Sequence, residues 1–470
     1  MTRQAATYLF YDLETTGINP CFDQVLQFAA IRTDLSLNEI ERHEIRIKLN
    51  ADIMPSPHAM ITHRIDWQTM QTGDSEYQAM QRIHQLLNTP GTISVGYNSL
   101  GFDDEFLRFS FYRNLLPPYT HQYANQCGRM DILPITTLYY LYKPDIVQWP
   151  MIEGVRRLKL EGLNACNHWV DGVSHDALVD VEVTIALAKE LYREKALWDY
   201  AVGFFQKATD SARLHQLSTG IANDSTQYPQ GILTSLRCGY AKQLQQPVLG
   251  LGQHRHYKNQ TLWLALDQTE LQQATLDNFT DKTRVIRKKV AEAPIILPTK
   301  QRFLDRLDPD RLQVMQANLA WLETQPDLLQ TLCDYYLEQT YPIVEHIDCD
   351  AALYQIGFPS REEEQLFQQF HQVPPDKKWQ VAQRFPNAIR QQQAVRILQR
   401  NFNHAFTNTE QDTTFSAKTQ DYRCSKKYTQ QDALNDIKSI DQSTLDDQQR
   451  SLLQELQQQL LAVETSNHEE

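Results

Sequence analysis

The sequence predicts an α/β protein in three consecutive parts: a strand–helix layer domain over 1–195, a small β-containing module over 196–350 and a helical region over 351–470. Three observations carry this. Short β-branched runs alternate with segments of helical period through the first part, as in layered α/β folds. Between about 196 and 300 the pattern changes to short extended segments separated by Gly, Pro and Asn, which suits a small barrel-like module. From Ala351 onward the chain is Gln-rich, acidic and helical in period, as solvated support or interaction helices usually are.

In chain order, Thr7–Asp12 and Gln24–Thr33 read as strands, Tyr77–Leu87 as a helix, and Thr92–Tyr97 as a short buried strand. Asp103–Leu116 and His175–Tyr192 have helical spacing. In the second part Gly231–Leu236, Thr261–Asp267, Arg284–Val290 and Ile295–Leu297 read as extended, and Asp308–Tyr341 as mostly helical, with a break near Tyr341-Pro342. Ala433–Val463 is the clearest helix of the last part. Gly250-Leu251-Gly252-x-x-Arg255 lacks the third glycine of a dinucleotide loop, and no phosphate-binding P-loop pattern occurs.

The chain has 470 residues, 45 Lys and Arg against 58 Asp and Glu, and a formal net charge of −13. That excludes a protein held on nucleic acid or anionic membrane by charge alone, though not an enzyme that works on nucleic acid through metal ions. Only 201–300 is basic, with 12 cations against 7 acids. Its clusters His254-Arg255-His256-Tyr257-Lys258 and Lys282–Lys289 could be a solvated edge or a phosphate-facing surface. No apolar run approaches the ~18–20 residues of a membrane span, and the start runs directly into strand-like sequence, so a cytoplasmic location is expected. Seven dispersed cysteines without a C-x-x-C pair fit reduced thiols.

The chemistry sits in the carboxylates. Tyr11-Asp12-Leu13-Glu14 ends the first strand, where alternation puts Asp12 and Glu14 on one face and Leu13 in the core. A second acidic group, Asp103-Asp104-Glu105, opens a helix, where acids also favour the dipole and Asp104 can pair with Arg108. Asp103 is placed to face back over the strand ends. The third group is His175-Asp176-Ala177-Leu178-Val179-Asp180. Five helical steps rotate a side chain by about 140° net, so His175 and Asp180 cannot share one helix face. His175 therefore belongs to the loop or first turn, while Asp180 is fixed on the helix. Four carboxylates and one histidine without thiolates select Mg²⁺, with Mn²⁺ as substitute. Two such ions ~3.5–4 Å apart support in-line phosphoryl transfer, and histidine is a suitable base for the attacking water.

D-x-E-T-T-G, G-Y-N-x-x-x-F-D-D-E and H-D-A-x-x-D resemble the three motifs of the DEDDh exonuclease superfamily, whose fold is RNase H-like. Through Gln27–Asp34, Phe111–Asn114, Thr184–Lys189 and Ala352–Phe358 the whole chain resembles the bacterial exodeoxyribonuclease I family. The resemblance implies that Asp12 bridges two metals, Glu14 and Asp180 complete the tighter site, Asp103 holds the second ion through water, and His175 is the general base. It implies an SH3-like domain over 196–350 and a helical domain over 351–470. Single-stranded DNA threading between these domains and the nuclease would be degraded processively from its 3′ end to 5′-mononucleotides. It places substrate contacts at Glu14, Arg108, Tyr119, Tyr123, Lys159 and Lys207, where aromatic rings would stack bases and cations would meet phosphates. It also implies docking of the acidic C-terminal tail of a single-stranded-DNA-binding protein, a role in DNA repair, and a monomer. The competing readings are a nuclease of the same superfamily preferring RNA or short oligomers, and a non-catalytic strand-binding scaffold.

Overall fold

The computed structural model describes residues 6–172, 176–223, 226–402, 421–423 and 425–467. The chain forms two compact units, each assembled from discontinuous stretches: 1–129, 170–185 and 343–470 in one, 130–169 and 186–342 in the other. The linear segments expected from composition therefore interleave. Residues 130–169 and 186–195 fold with the β-rich module, and the Pro-marked break at Tyr341-Pro342 coincides with the return of the chain to the first unit.

The first unit is built on a mixed sheet of β1 (Thr7–Thr15), β2 (Val25–Thr33), β3 (Glu39–Arg46), β4 (Thr92–Gly96) and β5 (Gly128–Asp131), in the order β3-β2-β1-β4-β5. β1 runs antiparallel to β2 and parallel to β4, so the strand carrying the first acidic motif lies at the centre. Leu9, Tyr11 and Leu13 point to one face and pack with Phe28 and Ala30 against helix α1 (Glu76–Leu87) and helix α2 (Asp103–Arg113). Ala79, Met80 and Ile83 of α1 and Phe106 and Leu107 of α2 complete that core. β3 has no counterpart among the expected strands. Its sequence EIERHEIR exposes charged residues along a sheet edge and buries chiefly Ile45, so the polar pattern masks the strand.

In the C-terminal stretch the expected helix Ala433–Val463 is two helices, Gln430–Ser439 and Asp447–Asn467. The break lies at Ile440-Asp441, where the Asp441 carboxylate accepts the Ser443 amide at 2.9 Å in place of a helical carbonyl. Ala433, Ile437, Leu453 and Leu456 pack against Leu26, Met60 and Met70. These helices are thus part of the first unit's core packing rather than a free polar surface.

The second unit contains a six-stranded sheet in which Gln245–Gln253 lies between Gln227–Thr234 and Gln260–Ala265. That central strand was hidden by its Gly, Pro and Gln content. Gly250 and Gly252 mark a β-bulge in it, with Gly252 at φ +130°. A Cβ on Gly250 would lie 2.8 Å from Pro229 Cγ, so these glycines serve strand packing rather than a phosphate loop.

Several cations of the basic stretches of this unit are paired within it. Arg255 binds Glu338 at 2.7 Å and also Asp334, and His256 lies 2.7 Å from Glu338. Lys282 meets Glu270 at 3.0 Å. Lys288 is fully buried with its ammonium 2.9 Å from Asp210, whose carboxylate also accepts the Ala291 amide at 2.8 Å. Lys288→Met is therefore expected to cost about 3–5 kcal/mol in urea unfolding, because it strands a buried carboxylate. The double variant Lys288→Met/Asp210→Leu should recover most of that loss; no recovery would show that the pair is not the cause.

No helix among the described residues is long and apolar enough to cross a membrane.

Candidate active site

Strand β1 delivers the first two acids. Asp12 pairs in register with Ala29 and Glu14 with Gln27, and the ladder shifts between Glu14 and Thr15. Both side chains project from the face opposite Leu13, as strand alternation requires. Asp103 is the first residue of α2 and is buried. The chain reaches it through Asn98 in the left-handed region (φ 64°) and a 3₁₀ turn, Ser99–Gly101, which carries the backbone from the end of β4 into the helix. Asp180 comes from helix α3 (Ala177–Tyr192), where its amide bonds the Asp176 carbonyl at 3.0 Å. The carboxylate oxygens of Asp12, Glu14 and Asp180 lie within 4.8 Å of one another.

The electrostatics are those of acids that raise one another's proton affinity. Burial, then the charges of Asp103, Glu14 and Asp180, hold the Asp12 carboxyl well above the usual range. Glu14 is pushed up to about 9 by burial, then by Asp180, Asp103 and Asp176. None of these main influences comes from a cation. Asp104, next in sequence to Asp103, is the opposite case. Burial alone would raise it, but Arg108, Arg129 and His121 hold it below the ordinary carboxylate range. Asp103 thus acts on Asp12 and Glu14, while Asp104 is a structural ion-pair centre. A hard-oxygen set repelling itself in this way suits Mg²⁺ or Mn²⁺, and Asp12, Glu14, Asp103 and Asp180 are the residues that could hold them.

Asp176 was not among the expected site residues, yet it raises the proton affinity of Glu14 while capping α3 through the Leu178 amide at 2.9 Å. Its signal in the sequence was its place beside His175. His175 itself lies outside the described residues.

The expected strand contacts divide. Arg108 is buried, with its guanidinium 2.5 Å from both Asp104 and Glu105 and 5.7 Å from the centre of the Tyr119 ring. The pairing with Asp104 is the one its i,i+4 spacing allows. Tyr119 is half-buried edge-to-face with Phe358 at 6.1 Å, and Tyr123 is exposed. In the second unit Lys159 precedes the helix Leu160–Asn167, largely exposed and 3.2 Å from Glu161, while Lys207 opens the helix Lys207–His215, also exposed.

Comparison with known proteins places this geometry. Residues 9–188 match the exonuclease family model. The chain is 38% identical to exodeoxyribonuclease I of Escherichia coli strain K12 over 202 residues, 42% of each chain. It is 29% identical to exodeoxyribonuclease I of Haemophilus influenzae over 362 residues, 71% of this chain and 73% of the relative. The first curated relatives are matched over about half their length. A solved structure of E. coli exonuclease I in complex with a 5cy-dT13 oligonucleotide has the same fold, with a TM-score of 0.83 at 24% identity, covering 97% of this chain and 99% of that one. Fold and acidic site together define an exonuclease domain of RNase H-like architecture. More narrowly, the chain is similar to bacterial exodeoxyribonuclease I in sequence and in fold.

Proposed function

We propose that this chain is a metal-dependent 3′→5′ exodeoxyribonuclease that removes 5′-mononucleotides processively from single-stranded DNA, in DNA repair or recombination. The observation that carries the reading is the convergence of Asp12, Glu14 and Asp180 oxygens within 4.8 Å, with Asp103 in the same field. Two divalent cations, Mg²⁺ or Mn²⁺, would supply the activation of water and the stabilisation of the leaving oxygen.

The chain's own residues do the rest. The β1–β2 register fixes Asp12 and Glu14, α2 and α3 bring Asp103 and Asp180 to them, and His175 accepts the proton of the attacking water. Glu14 also orients the terminal nucleotide. Tyr119 and Tyr123 stack bases, and Arg108, Lys159 and Lys207 meet the strand as cations. Residues 196–350 correspond to the family's SH3-like domain and 351–470 to its helical domain. The chain acts as a cytoplasmic monomer, and its partner is the acidic C-terminal tail of a single-stranded-DNA-binding protein. Similar proteins support the substrate: the sequence relatives are exodeoxyribonucleases, and the structurally similar E. coli exonuclease I is in complex with an oligonucleotide.

The deciding experiment is digestion of matched single-stranded DNA, duplex DNA and RNA, labelled at either end, with Mg²⁺ or with chelator. Loss of the 3′ label from single-stranded DNA, abolished by chelator with binding retained, is the expected result. Uncut DNA with Mg²⁺ would leave the scaffold reading, and faster cleavage of RNA the RNA-preferring one. His175→Ala is expected to lower the rate by about 10²–10⁴ and to shift the pH–rate profile; an unshifted profile would remove the base assignment.

A further inference from the structure

The loop that leaves the metal-site strand is held by a segment some 400 residues away. Residues 16–24 connect β1 to β2. The Thr16 amide bonds the Gln24 carbonyl at 2.9 Å, the Gln24 amide bonds Thr16 Oγ1 at 2.9 Å, and the Asn19 amide bonds Asp23 Oδ2 at 2.7 Å. A Cβ on Gly17 would lie 2.3 Å from that same Asp23 oxygen. Onto this loop comes Asp421, fully buried. One carboxylate oxygen accepts Asn19 Nδ2 at 3.0 Å, and the other accepts the amides of Arg423 and Ser425 at 2.7 and 2.8 Å. Arg423 Nη2 returns a bond to Asn19 Oδ1 at 3.2 Å.

The neighbouring residue reaches the second source of site acids. Tyr422 stacks on Phe109 of α2, ring centres 5.9 Å apart and planes 2° apart, and meets Tyr354 edge-on at 5.2 Å. Further along, Lys427 pairs with Asp52 at 3.2 Å. One short segment therefore touches both the loop that extends from Asp12 and Glu14 and the helix that begins with Asp103. The sequence resemblance is weakest in this part of the chain.

We infer that Asp421 and Tyr422 are positioning residues for the acidic site, setting the spacing of Asp12 and Glu14 relative to Asp103 and hence its affinity for divalent cations. The inference rests on the reading of the four acids as a metal site. Outer residues that orient metal ligands commonly change affinity by 10–100-fold when removed. Their effect reaches metal binding, whereas a residue needed only for folding would change stability alone.

The test is Mn²⁺ titration of the full chain without DNA, followed by the electron paramagnetic resonance signal of free Mn²⁺, alongside circular dichroism and steady-state hydrolysis of single-stranded DNA. Asp421→Ala is expected to weaken Mn²⁺ binding about 10-fold and to raise the Mg²⁺ concentration for half-maximal rate in parallel, with KM for DNA unchanged. Asp421→Asn, which keeps an acceptor for the two amides, should recover part of the affinity. If Asp421→Ala does not fold, Asn19→Ala, which cuts the same contact from the loop side, is expected to show the same loss. Folded variants that bind Mn²⁺ within twofold of the parent would overturn the positioning role while leaving the metal site intact. A parent chain that binds no Mn²⁺ would overturn both.

Discussion

Asp103→Asn is expected to lower the rate of single-stranded DNA hydrolysis by at least about 100-fold, the scale of losing one preorganised charge-stabilising group. In chelator the same variant should be as stable as the parent or more so. Asp103 is buried and raises the proton affinities of both Asp12 and Glu14. Removing its charge relieves repulsion in the metal-free fold, and the amide preserves shape at the start of α2. Asp104→Asn should do the reverse. That side chain pairs with Arg108 and Arg129 and bonds the His121 ring, so its neutralisation leaves two guanidiniums, one of them buried, short of a partner and destabilises the protein by about 3–5 kcal/mol. Parallel urea titrations and initial rates at saturating Mg²⁺ separate the two. A fully active Asp103→Asn variant would remove Asp103 from the metal site.

The second large effect is on pH. Without divalent cations, stability should fall between pH 6.5 and 8, and saturating Mg²⁺ or Mn²⁺ should reverse the trend. Glu14 titrates at about 9 in the fold against 4.5 as its ordinary value. Across that window the folded chain keeps a proton the unfolded chain has released, so stability declines as pH rises. One such proton is worth about 1.4 kcal/mol per pH unit, or about 2 kcal/mol over the window, and Asp12 adds in the same direction.

The window is bounded by other groups. Burial first, opposed by a backbone hydrogen bond, lowers His84 and His371 to about 4, so they add stability as pH rises toward 6.5. Lys378 and Lys427, lowered by burial to about 8, add stability above that value. Cations bound only by the fold contribute about 2.7 kcal/mol at 100 times their Kd. Melting temperatures measured across pH 6.5–8 with chelator, with Mg²⁺, and for Glu14→Gln check this. A metal-free protein that gains stability with pH over that range, or a Glu14→Gln variant with an unchanged slope, would sink the account.

The acidic site was legible because its geometry is local. Alternation along β1 places Asp12 and Glu14 together, and the turn before Asp103 marked that helix start, whereas the helix expected from His175 begins at Ala177. Other features are set by partners distant in the chain. Arg108 had Asp104 at i,i+4 and a possible external phosphate as partners, and the tertiary structure adds Glu105 and the Tyr119 ring to its surroundings. Asp421 carries no motif, and its contact with Asn19 spans 402 positions.

Sequence alone was enough for the α/β class of the first part, for the pairing of Asp12 and Glu14 on one strand face, and for the expectation that these acids suit hard divalent ions. Periodicity of 2 or 3.6 residues and the chemistry of side chains are properties of short stretches. Tertiary structure alone decided that 130–169 folds with the β-rich unit, that Gln245–Gln253 is a central strand, that Lys288 and Asp210 neutralise each other in the interior, and that Asp104 is structural where Asp103 joins the site. Each of these depends on which distant groups share a desolvated space. There the energy of a charge or an apolar face is set by its neighbours, not by its position in the chain.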